Sequence, residues 1–374
     1  MIPFNKPKLR GKEFEYIEKA LKEGHFSGDG KFTFECQKVI KERVNSQEAF
    51  LTHSCTAALE IIALLMDLKK GDEVIMPSYT FVSTANAFCL RGATPVFVDI
   101  RKDTLNLDEN LVEDAITKKT KAIVCVHYAG VACEPDKLRK IADKHGLVFI
   151  EDAAQALGSK FKGKPLGSYG DLSAISFHET KNVISGEGGA LIVNNSKYTK
   201  QAEIIREKGT DRTSFLRGER AMYTWKELGS SFLPSELVSA FLLAQLEDIE
   251  EVLKSKLEIW NDYHQNLKEL EDNGFCRRPI IPYGNEHNGH FYYILLENEE
   301  QRKDMIQHLL GRGINSVFHY IPLHSSPAGL KYGRVHGNLK NTETQSKRLL
   351  RLPSWEGLQS IDEICIGVTD FFQS

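Results

Sequence analysis

Short apolar runs alternate with helix-period segments between about residues 49 and 193. Runs of this length, bounded by polar and turn-forming residues, predict buried strands, and their alternation with helices predicts a mostly parallel α/β sheet. Ligands of such sheets bind beyond the carboxyl ends of the strands, and His127, Asp152 and Lys181 fall just there. The predicted strands cover residues 73–76, 95–98, 122–126, 147–150, 173–177 and 189–193.

The pattern changes near residue 235. Residues 236–267 show helical periodicity with many charges, and short strands such as 291–296 follow. This predicts a second, smaller α+β domain. The predicted organisation is therefore an N-terminal segment (1–30), a large cofactor-binding domain (31–235) and a small C-terminal domain (236–374).

Composition excludes several classes of protein. The chain has 374 residues, 41% of them hydrophobic and 26% charged, which predicts a soluble globular protein without long disorder. A net charge of -3 gives no basic field for nucleic acid or an anionic membrane. The seven cysteines are scattered without CxxC spacing, which favours buried free thiols over disulfides or a zinc site, and no metal is expected.

The N-terminus lacks the basic and apolar pattern of a signal peptide, and no apolar run approaches the roughly 18 residues that a membrane span needs. We therefore expect a cytoplasmic protein that binds neither membranes nor nucleic acid.

The most informative segment is residues 175–182, where an apolar strand ends and presents Lys181 among small and polar residues. An amine in a partly desolvated pocket loses its proton more readily, and a neutral amine can form a Schiff base with a carbonyl cofactor such as pyridoxal phosphate. Because most lysines are solvated surface groups, this interpretation depends on the residues that accompany Lys181.

Asp152 follows the buried strand at 147–150. A carboxylate beside the pyridine nitrogen would keep that nitrogen protonated, and the protonated ring would withdraw electrons from the reacting carbon. The alternative is that Asp152 caps the next helix. Gln155 could donate to the ring hydroxyl, or it could simply be solvated.

A phosphate group needs backbone donors, and residues 52–60 offer a turn of small polar residues that opens an amphipathic helix. The free N–H groups of Cys55 and Thr56, with the helix dipole, could hold a dianion, and the Ser176 hydroxyl could join them. A plain helix cap is the alternative.

Phe81 lies in the segment 77–84 after another strand, so its ring could cover one face of the cofactor. A core position is the alternative, because aromatic residues at strand ends are usually buried. The glycines of 185–189 do not match a dinucleotide-binding pattern and are interpreted as the turn into the next strand.

Taken together, the segments SCTAAL, PSYTFVST, EDAAQ, SFHETKN and GEGG resemble the sugar aminotransferases of the DegT/DnrJ/EryC/StrS family. The resemblance covers nearly the whole chain and implies a pyridoxal 5'-phosphate enzyme with the aspartate-aminotransferase-like fold (fold type I). It implies catalytic and cofactor-binding roles for these residues: a Schiff base on Lys181, the pyridine nitrogen on Asp152, the ring hydroxyl on Gln155, stacking on Phe81, and the phosphate on Cys55, Thr56 and Ser176.

Family members form homodimers in which one subunit completes the active site of the other. In many of them an asparagine reaches the phosphate of the partner subunit. Ser231 stands at that place here, and Leu233 stands where relatives often have arginine. The resemblance therefore implies a homodimer whose cross-subunit phosphate contact comes from Ser231, through a water bridge, or from neighbouring Ser230.

The substrates implied by the resemblance are L-glutamate as amino donor and a nucleotide sugar bearing a ketone. For His319, a structural or solvated histidine is an equal alternative to a substrate ligand. The residues that match the family's substrate loops are Phe4, Ser27, Gly28, His319, Tyr320 and His324.

Three rival functions account for less of the sequence. Some members of the family dehydrate sugars and carry histidine in place of the Schiff-base lysine, and Lys181 argues against that branch. A noncatalytic binding protein could reuse the fold, but the lysine and aspartate disfavour it. A Rossmann dehydrogenase lacks support because no GxGxxG follows the first strand.

Overall fold

The computed structural model describes residues 1–373. Its strands are β1 (Glu48–Thr52), β2 (Glu73–Pro77), β3 (Thr94–Val98), β4 (Thr120–Val126), β5 (Val148–Asp152), β6 (Lys160–Phe161), β7 (Lys164–Pro165), β8 (Leu172–Ser176), β9 (Gly189–Val193), β10 (Asn285–Glu286), β11 (Tyr293–Leu295), β12 (Arg334–Val335) and β13 (Leu349–Arg351).

Helices connect and cover these strands. They are α1 (Glu13–Glu23), α2 (Lys31–Val44), α3 (Cys55–Leu65), α4 (Val82–Cys89), α5 (Pro135–His145), α6 (Thr199–Arg206), α7 (Arg212–Leu216), α8 (Glu236–Glu247), α9 (Ile249–Asn266), α10 (Lys268–Asp272), α11 (Glu299–Gly311), α12 (Pro327–Tyr332), α13 (Lys340–Arg348) and α14 (Ile361–Phe371).

The central sheet has eight strands in the order β1-β9-β8-β5-β4-β2-β3-β12. Only β9 runs against its neighbours, and every other adjacent pair is parallel. The predicted mostly parallel sheet is therefore confirmed. The predicted strands are all present, each within about two residues of its expected bounds.

Helices cover both faces of the sheet, as buried parallel strands require. One core lies between the sheet and α1, α2, α5 and α8. A second core lies between the opposite face and α3, α4 and α6. The apolar residues of β2, β4, β5, β8 and β9 alternate between these two cores, which explains why these strands are continuous apolar runs in the sequence.

A third core belongs to the C-terminal part of the chain and lies around β11, β13, α11 and α14. The long α9 joins the cores, since Leu253 packs in the first and Ile259 in the third. The predicted helical stretch 236–267 is interrupted at Asp248, where φ is -101° and ψ 17°. The domain division at residue 235 stays a prediction; by packing, α8 goes with the sheet.

No helix of residues 1–373 is long and apolar enough to cross a membrane. The predicted cytoplasmic location stays a prediction.

Candidate active site

The N-terminus of α3 lies against the first residue of β9. Gly189 pairs with Thr52 in β1 and with Ser176 in β8. A Cβ added at Gly189 would lie 2.4 Å from the backbone nitrogen of Cys55, so the helix can start here only because glycine has no side chain. Ser54 caps the helix by accepting the Ala57 N–H.

The first two N–H groups of α3, those of Cys55 and Thr56, have no acceptor within residues 1–373. The Thr56 hydroxyl lies 2.7 Å from the Ser83 hydroxyl. The Ser176 hydroxyl accepts a hydrogen bond from the backbone N–H of His178 (3.3 Å). Free N–H groups at the positive end of a helix suit a phosphate or another anion.

Asp152 is the last residue of β5, and its side chain is buried. Its carboxylate accepts the Thr84 hydroxyl (2.7 Å) and the Ala154 N–H (3.2 Å). Burial raises the pKa of Asp152, while these hydrogen bonds and the charge of Lys181 oppose the rise. No lysine, arginine or histidine of the described chain forms an ion pair with Asp152, so the carboxylate can receive a cation from a ligand.

Lys181 lies in the turn between β8 and β9, where its backbone N–H donates to the His178 carbonyl (2.9 Å). The side chain keeps some accessible surface, but its amine is surrounded by protein, and this desolvation lowers the pKa of Lys181. The negative charge of Asp152 opposes the shift, and the charge of Arg351 adds to it. Asp152 and Lys181 thus act on each other electrostatically.

Aromatic side chains form one wall of the same region. We call Tyr79, Tyr128, His319 and Tyr320 the aromatic wall. His319 stacks on Tyr320 with ring centroids 3.6 Å apart, and its Nδ1 lies 2.6 Å from the Tyr128 hydroxyl. Burial lowers the pKa of His319 well below its usual value, so the imidazole is neutral at physiological pH.

Gln155 and Phe81 both reach the aromatic wall. The Gln155 amide donates to the Tyr320 hydroxyl (3.0 Å), and its carbonyl oxygen accepts the Ala129 N–H (2.6 Å). One amide N–H of Gln155 therefore stays available for a ligand. Phe81 is 55% exposed with its ring 6.2 Å from that of Tyr320, so the alternative interpretation of Phe81 as a core residue is wrong.

The predicted substrate residues fall in different places. Phe4 lies beneath the guanidinium of Arg351, 4.8 Å from it. Both ring nitrogens of His324 face protein groups, Ser78 at 2.7 Å and Glu343 at 3.4 Å, which leaves this histidine less free for a substrate than His319.

Three predicted residues lie apart from Lys181 in the isolated chain. Ser27 contacts His25, Gly28 packs closely on Leu233 and Pro234, and Ser231 is exposed. No hydrogen bond in the described chain links any of them to Lys181, Asp152 or the aromatic wall.

Sequence reasoning missed three residues of this region. Thr84 holds Asp152, Tyr128 holds His319, and Arg351 approaches from β13. Thr84 could have been noticed because it follows Thr80 by one helical turn in the segment 77–84, and the two hydroxyls are 2.8 Å apart. The local pattern around Arg351 and Tyr128 gave no such signal.

His127, which was expected near the same edge, turns to the other face of the sheet. Its Nε2 lies 3.0 Å from the Glu151 carboxylate, and its Nδ1 accepts the Cys133 N–H at 3.3 Å. The thiols of Cys125 and Cys133 join it in a buried group whose polar atoms lie within 4.8 Å of one another, a grouping that cysteine spacing did not reveal. Both nitrogens of His127 are already used, so we assign it a structural role.

Comparison with known proteins gives one consistent answer. The model of the DegT/DnrJ/EryC1/StrS aminotransferase family matches residues 7–368. GDP-perosamine synthase of Escherichia coli O157:H7 is 30% identical over 373 residues, which are 99% of this chain and 98% of that protein.

Solved structures agree over the whole chain. Spr1654 of Streptococcus pneumoniae, assigned as a sugar aminotransferase and solved in its PLP form, matches 100% of this chain and 98% of its own at 27% identity and a TM-score of 0.91. Helicobacter pylori PseC, an aminotransferase of pseudoaminic acid biosynthesis, matches 100% of this chain and 99% of its own at 27% identity and a TM-score of 0.90. The predicted fold type I is confirmed.

The residues present fit pyridoxal phosphate. The buried carboxylate of Asp152 lacks a cation, the first N–H groups of α3 lack acceptors, and the amine of Lys181 has no carboxylate within salt-bridge distance in the described chain. These are the complements of a pyridinium nitrogen, a phosphate and an aldehyde.

Proposed function

Because the chain belongs to the DegT/DnrJ/EryC1/StrS aminotransferase family, whose members are pyridoxal-phosphate-dependent sugar aminotransferases, we propose that it moves the amino group of L-glutamate to C4 of dTDP-4-dehydro-6-deoxy-D-glucose. The product is dTDP-4-amino-4,6-dideoxy-D-galactose. Support comes from segments that resemble the transaminase making this sugar for enterobacterial common antigen, namely residues 205–212, 223–225, 228–237 and 317–324.

One observation carries the assignment of the reacting residues: an amine and a carboxylate with perturbed pKa values share the carboxyl edge of the sheet. Burial lowers the pKa of Lys181 and raises that of Asp152. Neither group has an ion-pair partner in the described chain. Such perturbed groups beside an anion-binding helix start are typical of an active site.

The cofactor would be held by residues that reach this edge from separate elements. The proposed contacts are Lys181 for the aldehyde carbon, Asp152 for the pyridine nitrogen, Gln155 for the ring hydroxyl, Phe81 for one ring face, and Cys55, Thr56 and Ser176 for the phosphate.

When bound, pyridoxal phosphate carries the amino group between donor and acceptor and withdraws electrons from the reacting carbon. Lys181 then acts as general base at the α-carbon of the donor, because the desolvation that lowers its pKa favours the neutral amine. In the second half of the reaction the same amine delivers a proton to C4 of the sugar, and the face of delivery sets the configuration there. Asp152, held by Thr84, keeps the ring nitrogen protonated throughout.

For substrate recognition we propose that the aromatic wall contacts the sugar. The neutral imidazole of His319 and the Tyr320 hydroxyl can form hydrogen bonds with hydroxyl groups of the sugar. Phe4, which packs on the guanidinium of Arg351, would add a contact from the N-terminal segment. Ser27, Gly28 and His324 remain proposed nucleotide-sugar contacts that require a neighbouring subunit or a closed loop.

We also propose a homodimer that completes the site. The segment 219–231 is exposed throughout and carries Met222, Tyr223, Trp225 and Leu228, whose side chains are 48% to 76% exposed. Apolar groups of this size on a surface favour a protein interface. Ser231 at the end of this segment would reach the cofactor phosphate of the partner subunit.

A second candidate substrate is a GDP-linked ketosugar, and the observation that favours it is the relative named GDP-perosamine synthase, which aligns with 99% of this chain. The same chemistry would also serve an enzyme that makes the gluco epimer of the product, or one that acts on a different dTDP- or UDP-linked ketosugar.

The test has two parts. Borohydride reduction of the purified enzyme followed by peptide mass mapping should place the trapped cofactor on Lys181; an adduct elsewhere would contradict the assignment. Incubation with L-glutamate and a panel of dTDP-, UDP- and GDP-linked ketosugars, with NMR of each product, should give the galacto 4-amino sugar from the dTDP substrate. Faster turnover of the GDP-linked sugar would favour the second candidate.

A further inference from the structure

Two cysteines and a histidine meet in a buried group that the proposed reaction does not use. Cys125 is the next-to-last residue of β4, His127 follows that strand, and Cys133 comes after the short 3-10 helix Tyr128–Gly130. The two thiols and one ring nitrogen of His127 lie within 4.8 Å of one another, and the three residues are at most 2% exposed. Among residues 1–373, only this group brings three metal-ligating side chains so close together.

Glu151 determines which nitrogen of His127 can bind a ligand. Its carboxylate accepts the backbone N–H groups of Gly167, Tyr169 and Gly170, which favours the ionised form. The carboxylate also lies 3.0 Å from Nε2 of His127, so the ring proton belongs on Nε2 and Nδ1 presents a lone pair. A carboxylate behind a ligating histidine is the common arrangement at zinc sites.

The lone pair of Nδ1 is only weakly used within the chain. Its contact is the backbone N–H of Cys133 at 3.3 Å, at the long end of the hydrogen-bond range. A cation between the thiols and Nδ1 would replace this contact. The structural role of His127 would then be that of a metal ligand.

The kinds of ligand atom select the ion. Two thiolates and an imidazole suit Zn²⁺, whereas Mg²⁺ and Ca²⁺ take oxygen ligands. Two thiolates also cancel the charge of Zn²⁺, while Cu⁺ would leave a net negative charge in a site without solvent. Ligand atoms of a tetrahedral zinc site are about 3.5–3.8 Å apart, so the side chains need to move by no more than about 1 Å.

We propose that Cys125, His127 and Cys133 bind a structural zinc ion. On binding, each thiol gives up its proton to the solvent, and no electron is transferred. A water molecule takes the fourth position, as in other zinc sites with three protein ligands. Because the site is buried, the ion enters as the chain folds.

The ion would fasten the ends of β4 and β5 to the segment 127–133. Cys125 lies opposite Glu151 in the register of these parallel strands, and the His127 N–H donates to the Asp152 carbonyl at 3.3 Å. Cysteine spacing did not predict this site, because a strand and the turn after it bring the thiols together without a CxxC loop. The zinc site does not depend on the proposed function.

The experiment measures the metal content of the full chain, purified without a chelator, by inductively coupled plasma mass spectrometry. We expect about one zinc per subunit in the wild type and less than about 0.1 in Cys125→Ala and in Cys133→Ala. The matched control is Cys276→Ala, which removes a buried thiol of the C-terminal core and should leave the zinc content unchanged.

Cobalt substitution of the wild type supplies a readout that does not depend on the folding of a variant. Titration of the reduced, zinc-free protein with Co²⁺ should give thiolate-to-cobalt absorption and the intense visible bands of a tetrahedral site, and Zn²⁺ should abolish both. Removal of zinc should lower the melting temperature by about 5 °C. Glu151→Gln keeps an acceptor for His127 without its charge, and we expect the Kd of zinc to rise about 10- to 100-fold.

Four results would overturn the proposal. The first is a reduced wild type that contains no zinc and gives no cobalt spectrum. The second is zinc that both cysteine variants retain, which would be an adventitious ion only. The third is Cu⁺ in place of zinc. The fourth is a disulfide between Cys125 and Cys133, found by peptide mass mapping without reductant.

Discussion

At the residue scale, the proposed site depends on which of two adjacent carboxylates faces it. Successive side chains of a strand point to opposite faces. Glu151 in β5 therefore turns toward His127, where backbone N–H groups of Gly167, Tyr169 and Gly170 also bind it, while Asp152 turns toward Thr84. One residue of register thus separates a structural carboxylate from a proposed catalytic one.

Lys181→Ala tests the proposed base. Because the lysine would both hold the cofactor and move the proton, we expect glutamate-dependent amination to fall by at least about a thousandfold. The amine makes no ion pair in the described chain, so circular dichroism and the melting temperature of the cofactor-free protein should be nearly unchanged. Measurable amination of the nucleotide sugar by a cofactor-loaded variant would refute the role.

Asp152→Ala should weaken cofactor retention and turnover strongly, because a neutral ring is a poorer electron acceptor.

Thr84→Val tests the positioning of Asp152 more gently, since it removes one hydrogen bond to the carboxylate and keeps the side-chain volume. We expect the variant to have a raised pKa for Asp152, seen as a shifted pH profile of cofactor absorbance, and turnover lower by about 10-fold. An unchanged profile would mean that Thr84 only fills space.

At the element scale, the site exists because strand ends and helix starts meet at one edge of the sheet. The close packing of β9 on α3 depends on a missing side chain at Gly189. The long α9 links the core of the sheet to the C-terminal core, and it carries a buried lysine at the junction.

Gly189→Ala tests the contact between β9 and α3. The new Cβ would collide with the backbone at Ser54 and Cys55, which cannot yield without moving the helix start. Overpacking of this kind costs about 1–3 kcal/mol of stability, and we expect the Kd of pyridoxal phosphate, measured by fluorescence, to rise at least about 10-fold. Gly311→Ala is the control, because nothing lies within 4 Å of its added Cβ. Equal effects of the two changes would argue against the contact.

Lys256 on α9 should make stability depend on pH. Burial lowers its pKa to about 7, although its amine donates to the Ser354 carbonyl (2.7 Å) and hydroxyl (2.9 Å). The unfolded chain keeps this proton up to pH of about 10.4. Between these values the unfolded state binds more protons, so the free energy of unfolding rises with pH by up to about 1.4 kcal/mol per pH unit.

The measurement is denaturant unfolding of the wild type and Lys256→Met between about pH 7.5 and 9.5, the range that this linkage selects. The stability difference between the two should shift in favour of the wild type as the pH rises. Lys254→Met, an exposed change on the same helix, is the control and should show no such trend. A difference that stays constant with pH would mean that Lys256 is charged in the folded protein.

At the scale of the whole molecule, the family match and the structural alignments over the full chain establish a sugar aminotransferase, and the noncatalytic alternative is wrong. In the isolated chain, residues 219–231 form an exposed surface. Tyr223 packs on Phe215, yet Met222, Trp225 and Leu228 are 53% to 76% exposed, and this exposed apolar surface supports the proposed homodimer.

Trp225→Glu combined with Met222→Glu tests the homodimer. Both side chains are 76% exposed in the subunit, so the change should leave its fold intact. Charges in an apolar interface are unfavourable, and we expect analytical ultracentrifugation to show a shift from dimer to monomer at micromolar concentration. Tyr283→Glu changes a fully exposed aromatic residue and should leave the mass unchanged. A monomeric wild type would contradict the proposal.

The sequence by itself determined the strands, the mostly parallel sheet and the positions of Lys181 and Asp152, because apolar periodicity and strand ends are local properties of the chain. Side-chain direction and long-range contact are not local. The tertiary structure therefore decided that His127 leaves the site, that Phe81 is exposed and that Thr84 holds Asp152. It also brought Arg351 of β13 to the ring of Phe4, because only folding brings together residues so distant in the chain.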